Sequence, residues 1–305
     1  MFTLAVRNGK TQGDFFETDT GAPQGDCLSA IQFTYYLAKT LEKLQKSEVP
    51  ENDIDVDLQY ADDISEVTTN ETVFNETKAK LPEILTNRKL KVNVSKTEEY
   101  VIQRGGDTSW KNCKFLGTKL DANAELSRRK GLAIEAINSK KEYFNSPKLT
   151  VEQKSRIFES YVSSIFLYNC ELWTINECDE VSIDAFQRRL LKRYVLNIKW
   201  PRKIRMEDIY KKTKQKPWSR IIAFRRLGWF GHLARLPDDT PAKRVLNFVI
   251  SRPTKLPVGK PKTTWLSIVR KQIKQDLWIP SVLTAIKKAQ NRELWRKLVK
   301  RKCAM

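Results

Sequence analysis

The 305 residues are 40% apolar and 30% charged, the balance of a soluble globular chain with room for two domains of ordinary core size. The longest apolar runs, such as YVSSIFLY at 161–168, are far too short to cross a bilayer. Five cysteines without a CxxC pair, beside the lone histidine His232, argue against a disulfide framework and against a mixed Cys/His zinc centre. The net charge of +20 is unevenly spread: residues 1–100 carry 11 basic and 18 acidic side chains, 101–200 carry 17 and 12, and 201–305 carry 28 and 6. A carboxylate-rich front and a strongly cationic back imply different tasks, with a polyanion as the partner of the back. No secretory signal precedes the first strand-like segment, so the expected address is intracellular, in the nucleus and/or cytoplasm.

In chain order, Asn8-Gly9 between two β-prone runs predicts a hairpin. A tight loop follows at Gly21–Gly25. From Leu28 the spacing turns helical, with Ile31, Tyr35 and Ala38 on one face and Leu37, Leu41 and Leu44 beside it. DIDVDLQYADDISEV alternates cleanly, Ile54, Val56, Leu58 and Tyr60 against Asp55, Asp57 and Gln59. This predicts a half-buried strand, a turn at Ala61–Asp63 and a second strand. Residues 72–88 read as a helix that Pro82 should break or kink. KLKVNVSKTEEYVIQ predicts a strand, a turn and a strand, and CKFLGTKLD at 113–121 a short strand pair around Gly117.

Beyond about residue 125 the pattern is helical. Helices are predicted in 127–144, 150–173 (with Ile157, Tyr161 and Ile165 beside Phe158 and Val162), 177–198 and 217–236. Pro217 is placed for the first turn of the last of these, and Pro237 to Pro241 end it. A linker with Pro253, Pro257, Gly259 and Pro261 precedes two final helices, 263–277 and about 280–302.

The adjacent carboxylates Asp62 and Asp63 in a β-turn would offer hard oxygen donors to Mg²⁺, although a bare Asp-Asp is common in turns for its local hydrogen bonding. Here the pair is one of four ordered segments. GAPQGDCLS, then YADD, then LKVNVSKTE, then KFLG resemble the consecutive palm motifs of reverse transcriptases. The spacing, with RRLGWFGHLARLPDD and GKPKTTWLSIVRKQIKQDL in the tail, is most similar to non-LTR (LINE-type) retrotransposon enzymes, and the resemblance covers nearly the whole chain.

That resemblance implies an α+β fold: the C-terminal part of a palm sheet over 1–125, a helical thumb-like region over 126–200, and a basic helical C-terminal region over 201–305. It implies RNA-directed DNA polymerisation with Mg²⁺, an RNA template, a DNA primer or target and deoxynucleotide triphosphates. Asp62 would be a metal ligand and Asp63 its neighbour. Tyr60 and Ala61 would lie at the primer end or incoming nucleotide, and Gln24 and Gly25 beneath the templating base and nucleotide. Lys96 would assist pyrophosphate departure, and Phe115, Leu116 and Gly117 would form the primer-grip hairpin. Ala30 stands where the family usually has proline, and Lys89 where glycine is common.

The family's first catalytic aspartate precedes the PQG loop on an earlier strand. Only Asp14 and Asp19 lie upstream here, both in the predicted hairpin. The expectation is therefore an N-terminally truncated enzyme, without fingers and catalytically incomplete alone; the alternative is a non-catalytic nucleic-acid-binding remnant or recruited protein. Its nucleic-acid contacts would come from Lys211, Lys212, Lys214, Lys216, Arg225, Arg226, Lys300 and Arg301. The six tryptophans from Trp200 onward read first as core and only second as base-stacking platforms, and His232 as a packed or capping residue.

Overall fold

A computed structural model describes residues 2–18, 26–44, 55–103, 106–199, 201–251 and 263–303. The chain divides into two units, Met1–Glu98 and Glu99–Met305. In the first, β1 (Phe2–Asn8) pairs antiparallel with β2 (Thr11–Thr18), and Asn8 faces Thr11. The loop is therefore Gly9-Lys10, with Gly9 at φ 61°. The register shifts between Ala5 and Arg7, leaving an extra residue on β2.

Helix α1 (Ser29–Leu41) buries Leu37 and Thr40. Ile31 and Tyr35 are 68% and 65% exposed, which corrects the expected core face. The sequence offers two apolar stripes, and packing against α2 selects the one through Leu37; Tyr36 Oη also donates to the Arg88 carbonyl at 2.8 Å. Strands β3 (Asp55–Tyr60) and β4 (Asp63–Thr68) form the second hairpin, Tyr60 facing Asp63.

Helix α2 (Glu71–Thr86) starts on Asn70, whose side chain accepts from the N–H groups of Thr72 and Val73. It runs through Pro82 unbroken, contrary to expectation. Pro82 is exposed, Thr86 Oγ1 bonds back to its carbonyl at 2.7 Å, and Asn87 N–H reaches Glu83 O at 2.9 Å, so the helical ladder resumes within a turn. The helix ends in a Schellman motif: Lys89 N–H donates to Thr86 O and Leu90 N–H to Leu85 O, both at 2.9 Å. Lys89 occupies the left-handed position, φ 55°.

The strand–turn–strand expected at 89–103 does not form. Only a 3₁₀ turn, Val94–Lys96, is present, gathered on Asn93, whose carbonyl accepts from Lys96 N–H at 3.0 Å and Thr97 N–H at 3.1 Å. Local hydrogen bonds of this kind compete with a strand ladder. Among the described residues the strands form three separate two-stranded hairpins, so the expected palm sheet appears only as its component hairpins.

The second unit opens with β5 (Lys114–Phe115) and β6 (Thr118–Lys119). Helices α3 (Ala122–Ser139), α4 (Lys141–Asn145) and α5 (Val151–Ile157) follow, the last continuing through a π turn at Phe158–Ser163 into α6 (Ser164–Phe166). Then come α7 (Glu177–Leu190), extended by a π turn at Leu191–Val195, α8 (Met206–Thr213), α9 (Trp218–Arg235) and α10 (Pro241–Ser251). Helices α11 (Trp265–Gln275), α12 (Val282–Ala289) and α13 (Arg292–Cys303) close the unit. The single helix expected over 280–302 is two. Asn291 Oδ1 accepts from Leu294 N–H at 2.9 Å and starts α13 as a new helix.

Two apolar cores hold the unit together, one built from Leu126 to Ile222 and the other from Leu227 to Val299. Helix α9 contributes to both. Its entry is fixed in the first, where the Trp218 ring stacks on Phe166 at 4.1 Å between centroids. In the second, the backbone at Gly231 meets Trp295 so closely that an added Cβ would lie 2.3 Å from the indole.

A lysine in the left-handed Schellman position is strained in a way glycine is not. Lys89→Gly should raise stability by about 0.5–1 kcal/mol after the entropic cost of glycine in the unfolded chain. The increment would appear as a higher midpoint in denaturant unfolding; a lower midpoint would show that Lys89 contributes contacts worth more than the strain.

Candidate functional site

The two carboxylates singled out by sequence sit where a hairpin must turn most sharply. Six residues of β3 pair in unbroken register with six of β4, leaving Ala61-Asp62 as the loop, with Ala61 at φ 52°. Asp62 is thus at the tip and Asp63 is the first residue of β4, opposite Tyr60. All four side chains from Tyr60 to Asp63 are exposed. The hairpin presents adjacent carboxylates on a rigid, strand-anchored turn, a suitable form for hard-cation or phosphate–metal chemistry.

The donor set stops there. Among the described residues no three His, Cys, Asp or Glu side chains converge as a metal site. A two-ion phosphoryl-transfer centre needs carboxylates from more than one element, and the Asp62–Asp63 pair alone does not fit it. Lys96 is exposed in its 3₁₀ turn. Gln24 and Gly25 lie outside the described residues.

Phe115, Leu116 and Gly117 form the tip of the β5–β6 hairpin, with Leu116 and Gly117 at φ 46° and 73°. A cluster that sequence reading did not single out fixes this tip. Asp121 caps α3, accepting from Ala124 N–H at 2.8 Å, and so places Glu125, Arg128 and Arg129 on the side of the hairpin. Arg129 Nη2 donates to Gly117 O at 2.8 Å and its Nη1 to Ile165 O at 3.1 Å; Arg128 also donates to Gly117 O. Tyr168 Oη donates to Leu116 O at 3.2 Å and Asn169 Nδ2 to Thr118 Oγ1 at 2.9 Å.

Glu125, with a fully buried side chain, binds both arginines and accepts from Lys119 N–H at 3.0 Å. Burial pushes its carboxyl up, but the hydrogen bonds from Arg128, Lys119 N–H and Arg129 together outweigh it and hold the group below the usual glutamate range. The i, i+3, i+4 spacing of Glu125, Arg128 and Arg129 was the available sequence signal. The carbonyls at the hairpin tip are therefore engaged internally, and what the tip offers outward is side chains.

The basic candidates divide. Lys211 and Lys212 on α8, Lys214 and Lys216 after it, and Lys300 and Arg301 on α13 are exposed. Lys214 Nζ lies 3.5 Å from Glu152, and the Lys216 carbonyl accepts from Gln187 Nε2 at 2.9 Å. Arg225 is exposed as well, and its Nη1 donates to Leu167 O at 2.7 Å. Arg226 is a correction: it is fully buried, donates to Trp173 O at 3.1 Å, and is no surface phosphate ligand. Burial pulls its guanidinium below the ordinary value, while Glu180 and Cys170 act in the opposite direction. Helix α9 has apolar neighbours on several sides, so Arg226 is drawn between packed elements while Arg225 stays at the surface.

Of the later tryptophans, Trp218 and Trp295 are buried, Trp229 and Trp265 half-buried and Trp278 exposed; Trp200 lies outside the described residues. His232 is exposed, its ring 5.2 Å from Trp229. Cys27, Cys113, Cys170 and Cys178 are free thiols, and burial, the largest effect on it, pushes Cys170 up to about 12. No helix among the described residues is long and apolar enough to cross a membrane.

Comparison with known proteins bears on the turn directly. Residues 1–120, which contain both the Asp62–Asp63 turn and the Phe115–Gly117 tip, match the reverse transcriptase (RNA-dependent DNA polymerase) family. This stretch is a reverse-transcriptase domain fragment. The chain is also similar to an uncharacterized transposon-derived protein of Caenorhabditis elegans, 28% identical over 170 residues that cover 52% of this chain and 59% of that protein. It thus spans less than two thirds of that relative's length. Together the two matches support a retrotransposon origin for the reverse-transcriptase fragment. No solved structure matches the chain.

A carboxyl held low in the folded chain contributes its full stability above the ordinary glutamate range and loses it as pH falls through the lowered value. Acid unfolding of the chain should therefore carry a component from Glu125. Glu125→Gln should remove that component and cost about 3–5 kcal/mol at neutral pH, because it leaves two arginines facing a neutral amide. Thermal unfolding at a series of pH values checks this; an unchanged acid dependence in the variant would contradict the clamp.

Proposed function

We propose that this chain is a nucleic-acid-binding fragment of a LINE-type retrotransposon reverse transcriptase, whose Asp62–Asp63 turn is the metal-binding portion of an RNA-directed DNA polymerase site. The observation that carries the reading is the placement of adjacent, exposed carboxylates at a strand-anchored turn within the segment that matches the family. In the complete reaction a primer 3′ hydroxyl attacks the α-phosphate of a nucleotide triphosphate. Mg²⁺ would neutralise the developing phosphoryl charge there. Asp62 would be a ligand, with Asp63 beside it, and Tyr60 and Ala61 would border the primer end or incoming nucleotide. Lys96 would meet the departing pyrophosphate, and Phe115 to Gly117 would support the primer. A further carboxylate from another element is required before two ions can be held.

The partners in this reading are an RNA template and a DNA primer or target, in an intracellular setting. Residues 1–125, 126–200 and 201–305 would serve as palm, thumb-like region and basic tail. The charge distribution supports nucleic-acid binding most strongly, with 28 basic and 6 acidic side chains in residues 201–305.

Binding driven by phosphate neutralisation releases counterions, and four contacts to a single strand give a log–log salt slope of about −3. Titration of a labelled RNA–DNA primer–template with the full chain at several salt concentrations should show a slope of at least that size. An affinity indifferent to salt, or no binding at low salt, would contradict the reading.

A further inference from the structure

A cleft of about 650 Å³ opens in the helical unit between the end of α3, helix α4 and the π turn that follows α7. Five cations line it, Lys141, Arg189, Lys192, Arg193 and Lys199, and no carboxylate does. None of the five makes an ion pair among the described residues, and Lys141, Arg189 and Lys199 are exposed. Some positive charge is expected where helix α7 ends, because it complements the helix dipole. Lys141 and Lys199 lie outside that last turn and converge on the same space, which the dipole does not explain.

The remaining lining is suited to a base. The Tyr194 ring is held edge-on by buried Phe144 at 6.3 Å, and the Arg193 guanidinium lies 5.4 Å from its centroid. Asn138 and Asn145 add amides that both donate and accept. A volume of this size is that of a small-ligand site, too small for a duplex yet sufficient for an unpaired nucleotide with its phosphate. Aromatic and guanidinium planes next to cations are the means by which single strands are held.

We infer that this cleft binds single-stranded nucleic acid, seating an unpaired base against Tyr194 and Arg193 and its flanking phosphates against Lys141, Arg189, Lys192 and Lys199. The inference rests on the nucleic-acid reading above and adds a location and a strand preference to it. No single stretch of sequence announces the site, because its walls come from residues 138–145 and 189–199.

The test is fluorescence anisotropy of the full chain with a labelled oligouridine and with a duplex of equal length, in wild type, in Lys141→Glu/Lys199→Glu and in the control Lys10→Glu/Lys43→Glu, whose lysines lie outside every nucleic-acid contact assigned above. All four lysines are exposed, and circular dichroism melting confirms that both variants fold. The cleft variant should lose at least about tenfold in single-strand affinity, and its salt slope should flatten by about 1.4, the loss of two phosphate contacts. The control should bind as wild type. Photo-crosslinking with 5-bromouridine, mapped by mass spectrometry, should mark Tyr194.

If wild type binds the strand with the expected salt dependence but the cleft variant binds equally well, the cleft is refuted and the nucleic-acid reading stands. If wild type binds neither strand nor duplex, both fail. Equal losses for strand and duplex would refute the single-strand preference, and full displacement of the strand by millimolar uridine monophosphate would make the cleft a mononucleotide pocket instead.

Discussion

Helix α9 has to satisfy two cores at once, and the helical unit depends on how it does so. Trp218 and Ile222 belong to the first core and Leu227, Phe230 and Leu233 to the second. Pro217 provides no side-chain cap, so the orphan N–H groups at the entry must be satisfied from elsewhere. Helix α7 supplies the partners. Gln187 Oε1 accepts from Trp218 N–H at 2.9 Å, and Asp184 accepts from both the N–H and the hydroxyl of Ser219 at 2.9 and 2.6 Å. At the other end the missing side chain of Gly231 admits Trp295, whose Nε1 donates to Leu227 O at 2.9 Å. Because the helix is packed over much of its surface, its cations are recruited into structure, Arg225 and Arg226 to the carbonyls of Leu167 and Trp173.

What sequence reading recovers is what local chemistry determines. Alternation in DVDLQY followed by two aspartates specified the β3–β4 hairpin, and Gly117 the β5–β6 turn. The helical pattern read at 177–198 and 217–236 found α7 and α9. Tertiary choices were not legible. Two apolar stripes on α1 could each have been the core, and packing on α2 decided it. Pro241 reads as a stop but opens α10, where a helix's first position tolerates proline. Arg226 looks like Lys211 and Lys212 until burial separates it. The cationic cleft has no contiguous signature at all, since its residues converge only after α3, α4 and α7 pack.

A division of chemical character follows. Exposed carboxylates at Asp62 and Asp63 stand on a turn in the first unit, and cationic surfaces occupy the helical second unit. The Phe115–Gly117 tip belongs to that second unit, with its backbone carbonyls taken up by Arg128, Arg129 and Tyr168. The tip is thereby tied to α3 through Arg128 and Arg129. Strain at Lys89, in a position that glycine would occupy freely, belongs to the first unit.

We propose that the chain binds a primer–template and carries only part of a two-ion site. Template-directed primer extension with the purified chain, Mg²⁺ and deoxynucleotide triphosphates tests it most directly, run beside a binding assay on the same primer–template. Binding without nucleotide incorporation is expected, because two neighbouring carboxylates on one turn do not hold two ions. Incorporation by the wild-type chain that disappears in Asp62→Ala would contradict it and show that the turn works within a complete site.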